Sequence, residues 1–304
     1  MRLNMMRKFV VLTAILQLVA LVSFDEAAAQ KGLKVYISVD MEGVAGVVTV
    51  DQCRAGGEGY ERARMWMIRE ANAAIHGALD AGATEILVND SHGSMLGLIP
   101  DELNPAVRLI SGRLKPLSMM EGIDSTYDAV IFIGYHAWIG STNAVLDDTY
   151  SGNINSVRIN GMEVGEAEIN AMIAGQFGVP VVMITGDKTL CNQVKTQLGK
   201  KIVTVDVKEG IGRTAANTLI PSVAQKKIRE GTTVALKRVK EIMPFKPVGP
   251  YVFEIDFMHT TQADLAELIP GVERAGPRKV KYTQTNFIVG FRLFWAIVLL
   301  TKNT

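Results

Sequence analysis

Residues 34–43, Lys-Val-Tyr-Ile-Ser-Val-Asp-Met-Glu-Gly, constrain the fold more than any other stretch, because an apolar run breaks off in two carboxylates and a glycine. Such a run reads as a buried strand that delivers acid groups at its carboxyl end. Residues two apart on an extended chain point to the same side, so Asp40 and Glu42 can aim at one point while Val39 and Met41 face packing. Ionised oxygens held that close raise each other's pKa, and a divalent cation between them relieves the repulsion.

Two further β-rich runs end in the same manner. Residues 85–90 lead into Ser91-His92-Gly93, and residues 129–134 lead into Tyr135-His136. In open α/β sheets ligands bind beyond the carboxyl ends of the strands, which predicts that Asp40, Glu42, His92 and His136 converge there. Only four histidines occur in the chain, and two of them fall at such ends.

The rest of the chain alternates in a way that predicts an α/β fold, a doubly wound and mostly parallel sheet with a smaller C-terminal α+β portion. Residues 60–81 carry a helical stripe, 178–185 read as a strand, 187–198 as a helix, 202–207 as a strand and 213–219 as a helix-like stretch. Asn160-Gly161 between two short β-rich runs is a hairpin signal, since that pair suits a type I′ turn. The three prolines of 244–250 mark a linker, dividing a metal-binding catalytic domain at 30–243 from a portion at 251–304 that packs on it.

Residues 1–29 stand apart. A basic start (Arg2, Arg7, Lys8), an apolar run and Ala27-Ala28-Ala29 read as a cleaved signal peptide, predicting export to the periplasm or beyond. With 32 basic and 31 acidic side chains the chain offers no electrostatic footprint for nucleic acid or anionic lipid, which points to a small partner such as a short peptide. No stable membrane span is expected once the leader is removed; the last apolar run, near 291–300, is short and has Arg292 inside it. It reads instead as a subunit-contact helix with an exposed face of Phe291, Leu293, Trp295 and Leu299, and so as a sign of a homo-oligomer. Cys53 and Cys191 have no metal-ligand spacing, and their pairing stays open at this stage.

Several other patterns carry less. The cluster Gly56-Gly57-Glu58-Gly59 lacks the Lys-Ser/Thr of a phosphate loop. Asp90-Ser91-His92 cannot form a hydrolytic triad, since neighbours on a strand point opposite ways; Asp90 is expected to orient His92 or to bond the adjoining loop. Glu254, Asp256 and His259 read as a solvated face. The glycine-containing stretch 140–152 is a candidate active-site loop.

Four ordered motifs, Ser-Val-Asp-Met-Glu-Gly at 38–43, Asn-Asp-Ser-His at 89–92, Gly-Tyr-His-Ala at 134–137 and Val-Gly-Glu at 164–166, resemble those of the DppA-type D-aminopeptidases, the M55 family of zinc peptidases. The resemblance covers about residues 33–302. It implies a di-zinc aminopeptidase acting on N-terminal, D-configured residues of short peptides. It also implies a ligand set: two zinc ions with Asp40 bridging, Glu42 and His92 completing one site, His136 and Glu166 the other. Glu166 and Glu168 suit the start of a helix equally well, and only the Val-Gly-Glu match singles out Glu166. At one position the chain departs from the family pattern: Asp148 stands where the family has a catalytic histidine. An ionised aspartate cannot donate to a developing oxyanion, which raises the alternative of a periplasmic zinc- or peptide-binding homologue with impaired turnover.

Overall fold

The computed structural model describes residues 32–302, and the signal-peptide reading of 1–29 lies outside them. From Leu33 onward the chain is one compact unit. Its centre is a seven-stranded sheet built from β1 (Leu33–Val39), β2 (Ala83–Asp90), β3 (Arg108–Ile110), β4 (Ala129–Tyr135), β7 (Val181–Asp187), β8 (Val203–Gly212) and β9 (Ala215–Thr218). The spatial order is β3-β2-β1-β4-β7-β8-β9, parallel throughout except for β9. The chain runs outward from β1 to β3 and then returns to lay β4 on the other side of β1. That reversal makes a crevice at the carboxyl ends of β1 and β4, where doubly wound sheets bind ligands.

The central strands are buried on both faces, which is why they read as continuous apolar runs; every residue of β4 and β7 is buried. Helices α1 (Tyr60–Asp80) and α4 (Pro221–Lys237) pack together on the sheet, α2 (Glu166–Gln176) packs on β4, and α3 (Lys188–Gln197) lies against β7 and β8. Close packing there depends on small residues: a Cβ on Gly77 of α1 would lie 2.4 Å from the Arg229 carbonyl oxygen of α4.

A second, antiparallel sheet has the order β11-β12-β10-β5-β6, with β5 (Ile154–Ile159), β6 (Met162–Glu163), β10 (Tyr251–Phe257), β11 (Glu273–Arg274) and β12 (Lys279–Gln284). The boundary expected at 244–250 therefore separates strands that pair in one sheet. Ile154, Val157 and Ile159 of the inserted hairpin share the buried core with Phe253, Ile255 and Phe257, and β5 covers what would otherwise be an open edge of β10. At the hairpin turn Asn160 and Gly161 both have positive φ, 53° and 78°, as a type I′ turn requires.

Two expectations fail. Residues 213–219 are not helical: Ala215–Thr218 pairs antiparallel with β8, which itself runs on to Gly212, and exposure along it alternates with the period of a strand. The segment has no apolar stripe to hold a helix on the sheet, so the unpaired edge of β8 decides. In the last helix, α6 (Phe287–Thr301), the residues expected to form an exposed contact face are largely covered, while Val289, Arg292, Ala296 and Leu300 lie outward. Phe291 and Trp295 are buried beside Tyr150, while Leu293 and Leu299 are partly buried. Among the described residues no helix is long and apolar enough to cross a membrane.

Candidate metal centre

Strand β1 ends at Val39, and Asp40 follows with its amide bonded to the Ile133 carbonyl of β4. The chain then crosses the end of β4 so closely that side chains are excluded. A Cβ at Gly43 would fall 1.8 Å from the Tyr135 carbonyl oxygen, and one at Gly134, where φ is +70°, would fall 2.2 Å from that of Asp40. These two glycines bring Asp40 and Glu42 to the foot of His136. On the other flank the Ser91 amide donates to the Val39 carbonyl at 2.9 Å, placing His92. Glu166 arrives from the start of α2, held by the Tyr150 amide, which donates to its Oε1 at 2.7 Å.

All five predicted residues converge into two groups that share Asp40: Asp40 with Glu42 and His92, and Asp40 with His136 and Glu166, ligand atoms within each group lying within 4.8 Å of one another. The histidines are oriented alike. His92 donates from Nε2 to the Cys53 carbonyl at 2.8 Å, turning Nδ1 toward Glu42 Oε2 at 2.9 Å and Asp40 Oδ1 at 3.2 Å. His136 donates from Nδ1 to the Ala137 carbonyl at 3.1 Å and turns Nε2 toward Asp40 Oδ2 and Glu166 Oε2, each at 3.3 Å. A carbonyl can only accept, so it fixes the proton on one ring nitrogen and leaves the other facing two carboxylates, the arrangement that orients imidazole ligands on metals.

Electrostatics makes the same demand. Burial alone pushes both imidazoles down, yet Glu42 and Asp40 at His92, and Glu166 and Asp40 at His136, outweigh it and raise both well above the ordinary range. Burial likewise works to raise Asp40, but the two histidines hold it far below the usual carboxylate range, whereas burial pushes Glu166 up to about 7. The floor calls for positive charge. Asp40 Oδ2 is buried and receives no well-aligned hydrogen bond. An orphaned carboxylate oxygen within an all-nitrogen-and-oxygen donor set, without thiolate, fits zinc held for catalysis.

The model of the M55 peptidases, described as D-aminopeptidase, matches residues 33–296. The chain belongs to this family. It is similar to a D-aminopeptidase of Bacillus subtilis (strain 168), 36% identical over 273 residues that span 90% of this chain and 99% of the relative. It also superimposes, at a TM-score of 0.87 and 34% identity over 90% of its length and 99% of the other, on a solved structure described as the Zn-dependent D-aminopeptidase DppA from Bacillus subtilis, a self-compartmentalizing protease.

In this M55 peptidase the ligand-bearing ends rest on a buried hydrogen-bond chain that the sequence did not disclose. Tyr150 Oη donates to Asn170 Oδ1 (2.8 Å), Asn170 Nδ2 donates to Tyr135 Oη (3.0 Å), Tyr135 Oη meets Ser38 Oγ (2.7 Å), and Ser38 Oγ meets Ser91 Oγ (2.6 Å). Its members neighbour four of the five candidate ligands: Ser38 sits two residues before Asp40, Tyr135 and Ser91 directly before the histidines, and Asn170 one helical turn after Glu166. Lys208 was likewise passed over. Its buried ammonium donates to the carbonyls of Glu42, Val44 (3.0 Å) and Val47 (2.6 Å), fastening the turn that carries Glu42; burial lowers it to about 8.

The remaining candidates take plainer roles. Asp90 Oδ2 accepts the Leu98 amide at 2.6 Å, so it holds the loop after His92 rather than the imidazole. Glu168 caps its own helix through the Gly165 amide at 2.9 Å. His259 is exposed at the start of α5 (Thr260–Glu267), and Cys53 and Cys191 are buried, unbridged thiols. Asp147 fixes the 140–152 loop through the Gly140 amide at 2.6 Å and Arg213 at 3.0 Å. Asp148 lines the cavity of about 740 Å³ that opens over the ligands. Burial raises its carboxyl above the ordinary value, although His136 pulls the other way.

Proposed function

We propose that the protein is a di-zinc aminopeptidase that releases N-terminal, D-configured residues from short peptides, acting as a homo-oligomer after export. The observation that carries this reading is the pair of imidazoles, each tied to a backbone carbonyl on one side and facing two carboxylates on the other. Asp40, Glu42 and His92 would hold one ion, and Asp40, His136 and Glu166 the other. Bound there, zinc supplies Lewis acidity, polarising a peptide carbonyl and making water a stronger nucleophile at neutral pH.

The chain's own groups do the rest. A free, neutral α-amine is a ligand that a metal held on this floor could accept, whereas a blocked amine is not. Asp148, withdrawn from water, keeps its proton to a higher pH than a free aspartate and can donate it to the developing oxyanion or the departing amine. The binding-protein alternative rested on Asp148 being ionised and gains no further support. The oligomeric state follows the self-compartmentalizing relative and is read by light scattering.

Elemental analysis of the zinc-reconstituted protein, with initial rates on D- and L-alanyl p-nitroanilide, tests the proposal. About two zinc ions per chain and a rate favouring the D-substrate are expected. One metal or none defeats the dinuclear reading, and a preference for the L-substrate defeats the stereochemical one.

A further inference from the structure

The cavity over the carboxylate and imidazole floor also has a cationic wall. Arg113, which follows β3, and Lys302, which follows α6, both line it. Among the described residues neither side chain has an ion-pair or hydrogen-bond partner; Arg54 at the same cavity is likewise unpaired, though no coupling sets it beside another cation, and Arg213 is engaged by Asp147. Lys302 is held in place by its backbone, since Asn153 Nδ2 donates to the carbonyls of Thr301 at 2.7 Å and Lys302 at 3.2 Å. The two cations are near neighbours: burial weakens the Lys302 charge first and Arg113 weakens it further, while the Asp148 carboxyl, on the same cavity, partly offsets both. Burial also lowers Arg113.

Isolated lysines and arginines on a surface need no account. Two exposed cations near one another at the mouth of one cavity repel each other, and the arrangement is relieved when an anion enters between them. A guanidinium offers a planar fork matched to a carboxylate, and an ammonium adds a point charge. The cavity is of small-molecule size. A peptide whose amine faces the metal-binding floor carries its own carboxylate at the far end, and in a dipeptide or tripeptide that end is only about 7–10 Å away, at roughly 3.5 Å per extended residue.

We infer that Arg113 and Lys302 receive the free α-carboxylate of the substrate, so that the site selects dipeptides and tripeptides with an unblocked carboxyl end. This deepens the aminopeptidase reading and rests on it for the direction in which the peptide lies.

The test compares D-alanylglycine with D-alanylglycinamide on the full-length, zinc-loaded protein, through kcat/KM where they are cleaved and through a calorimetric Kd where they are not. The acid should be preferred by about tenfold or more in the unaltered protein, since a charge-assisted contact is lost in the amide. In the Arg113→Gln/Lys302→Gln double variant that ratio should fall to near unity, while substitution of another cation on the cavity wall, Arg54→Gln, keeps it. Equal handling of acid and amide by the unaltered protein, a measurement that needs no variant to fold, overturns the inference. Survival of the preference in the double variant, or its loss in Arg54→Gln alone, also overturns it. Cleavage of both peptides without preference removes the clamp and leaves the peptidase standing. Preferential binding of the acid without cleavage of either supports the clamp and removes the peptidase reading.

Discussion

Asp40 Oδ2 lies 3.3 Å from His136 Nε2 yet accepts no well-aligned hydrogen bond, so a buried carboxylate oxygen is left unsatisfied beside an imidazole nitrogen that also faces Glu166. Its other oxygen stands 3.2 Å from His92 Nδ1. One side chain thus serves both groups, and Asp40→Ala should lose more zinc than any other single change. Glu42→Ala or Glu166→Ala removes a ligand from one group and spares the other. Zinc content after dialysis checks this, and equal loss in Asp40→Ala and Glu42→Ala would count against the bridge.

Tyr135→Phe should destabilise the fold without touching a ligand. The lost hydroxyl leaves Asn170 Nδ2 and Ser38 Oγ short of a partner in a fully buried setting. Such a loss costs about 1–3 kcal/mol. Urea unfolding read by circular dichroism measures it; a change indistinguishable from zero would mean that water or a neighbour replaces the hydroxyl.

Glu70 makes a pH-dependent contribution of definite sign. Its Oε1 accepts the Ala45 amide at 2.9 Å, Oε2 has no partner, and burial raises the carboxyl to about 7, well above the ordinary glutamate range. The folded protein therefore holds this proton more tightly than the unfolded chain, and stability falls as pH rises across that window. Glu70→Gln keeps the acceptor for Ala45 and removes the titration. Its stability relative to the unaltered protein should rise by about 2–3 kcal/mol between pH 4.5 and pH 7.5, less whatever Lys208 returns by attracting the ionised form. Paired urea midpoints across that range decide it, and a flat difference would place the proton elsewhere.

The ligands were legible because each follows a short strand and belongs to a residue type that such a strand end has little other use for. Asp40, Glu42, His92 and His136 needed only strand ends and the sheet rule, while Glu166 needed its motif, since Glu168 sits as well at the same helix start. The hydrogen-bond chain was hidden because Ser38, Tyr135 and Asn170 meet only through the order in which strands and helix pack. Lys208 was hidden for a related reason: after Val203, Val205 and Val207 it looks like the solvent side of a strand, yet the turn at 42–47 folds over it. Strand β9 and the covering of α6 depend on neighbours far away in sequence, which local patterns do not carry.

Asp148 gives the sharpest test. If ionised, it would oppose the negative charge that develops on the peptide carbonyl; burial raises its carboxyl above the ordinary value, and a neutral Asp148 would donate. Asp148→Asn keeps an acceptor for the Thr149 amide, now bonded to Oδ1 at 2.7 Å, and removes the transferable proton. Turnover of a free-amine D-aminoacyl substrate should fall by about 100-fold or more with zinc content unchanged. The pH profile carries the sign: with the protonated carboxyl as the donor, kcat of the unaltered protein should decline as pH rises through the Asp148 pKa, and that limb should vanish in the asparagine variant. A variant that keeps full turnover and the same alkaline limb would assign the proton to another group at the cavity.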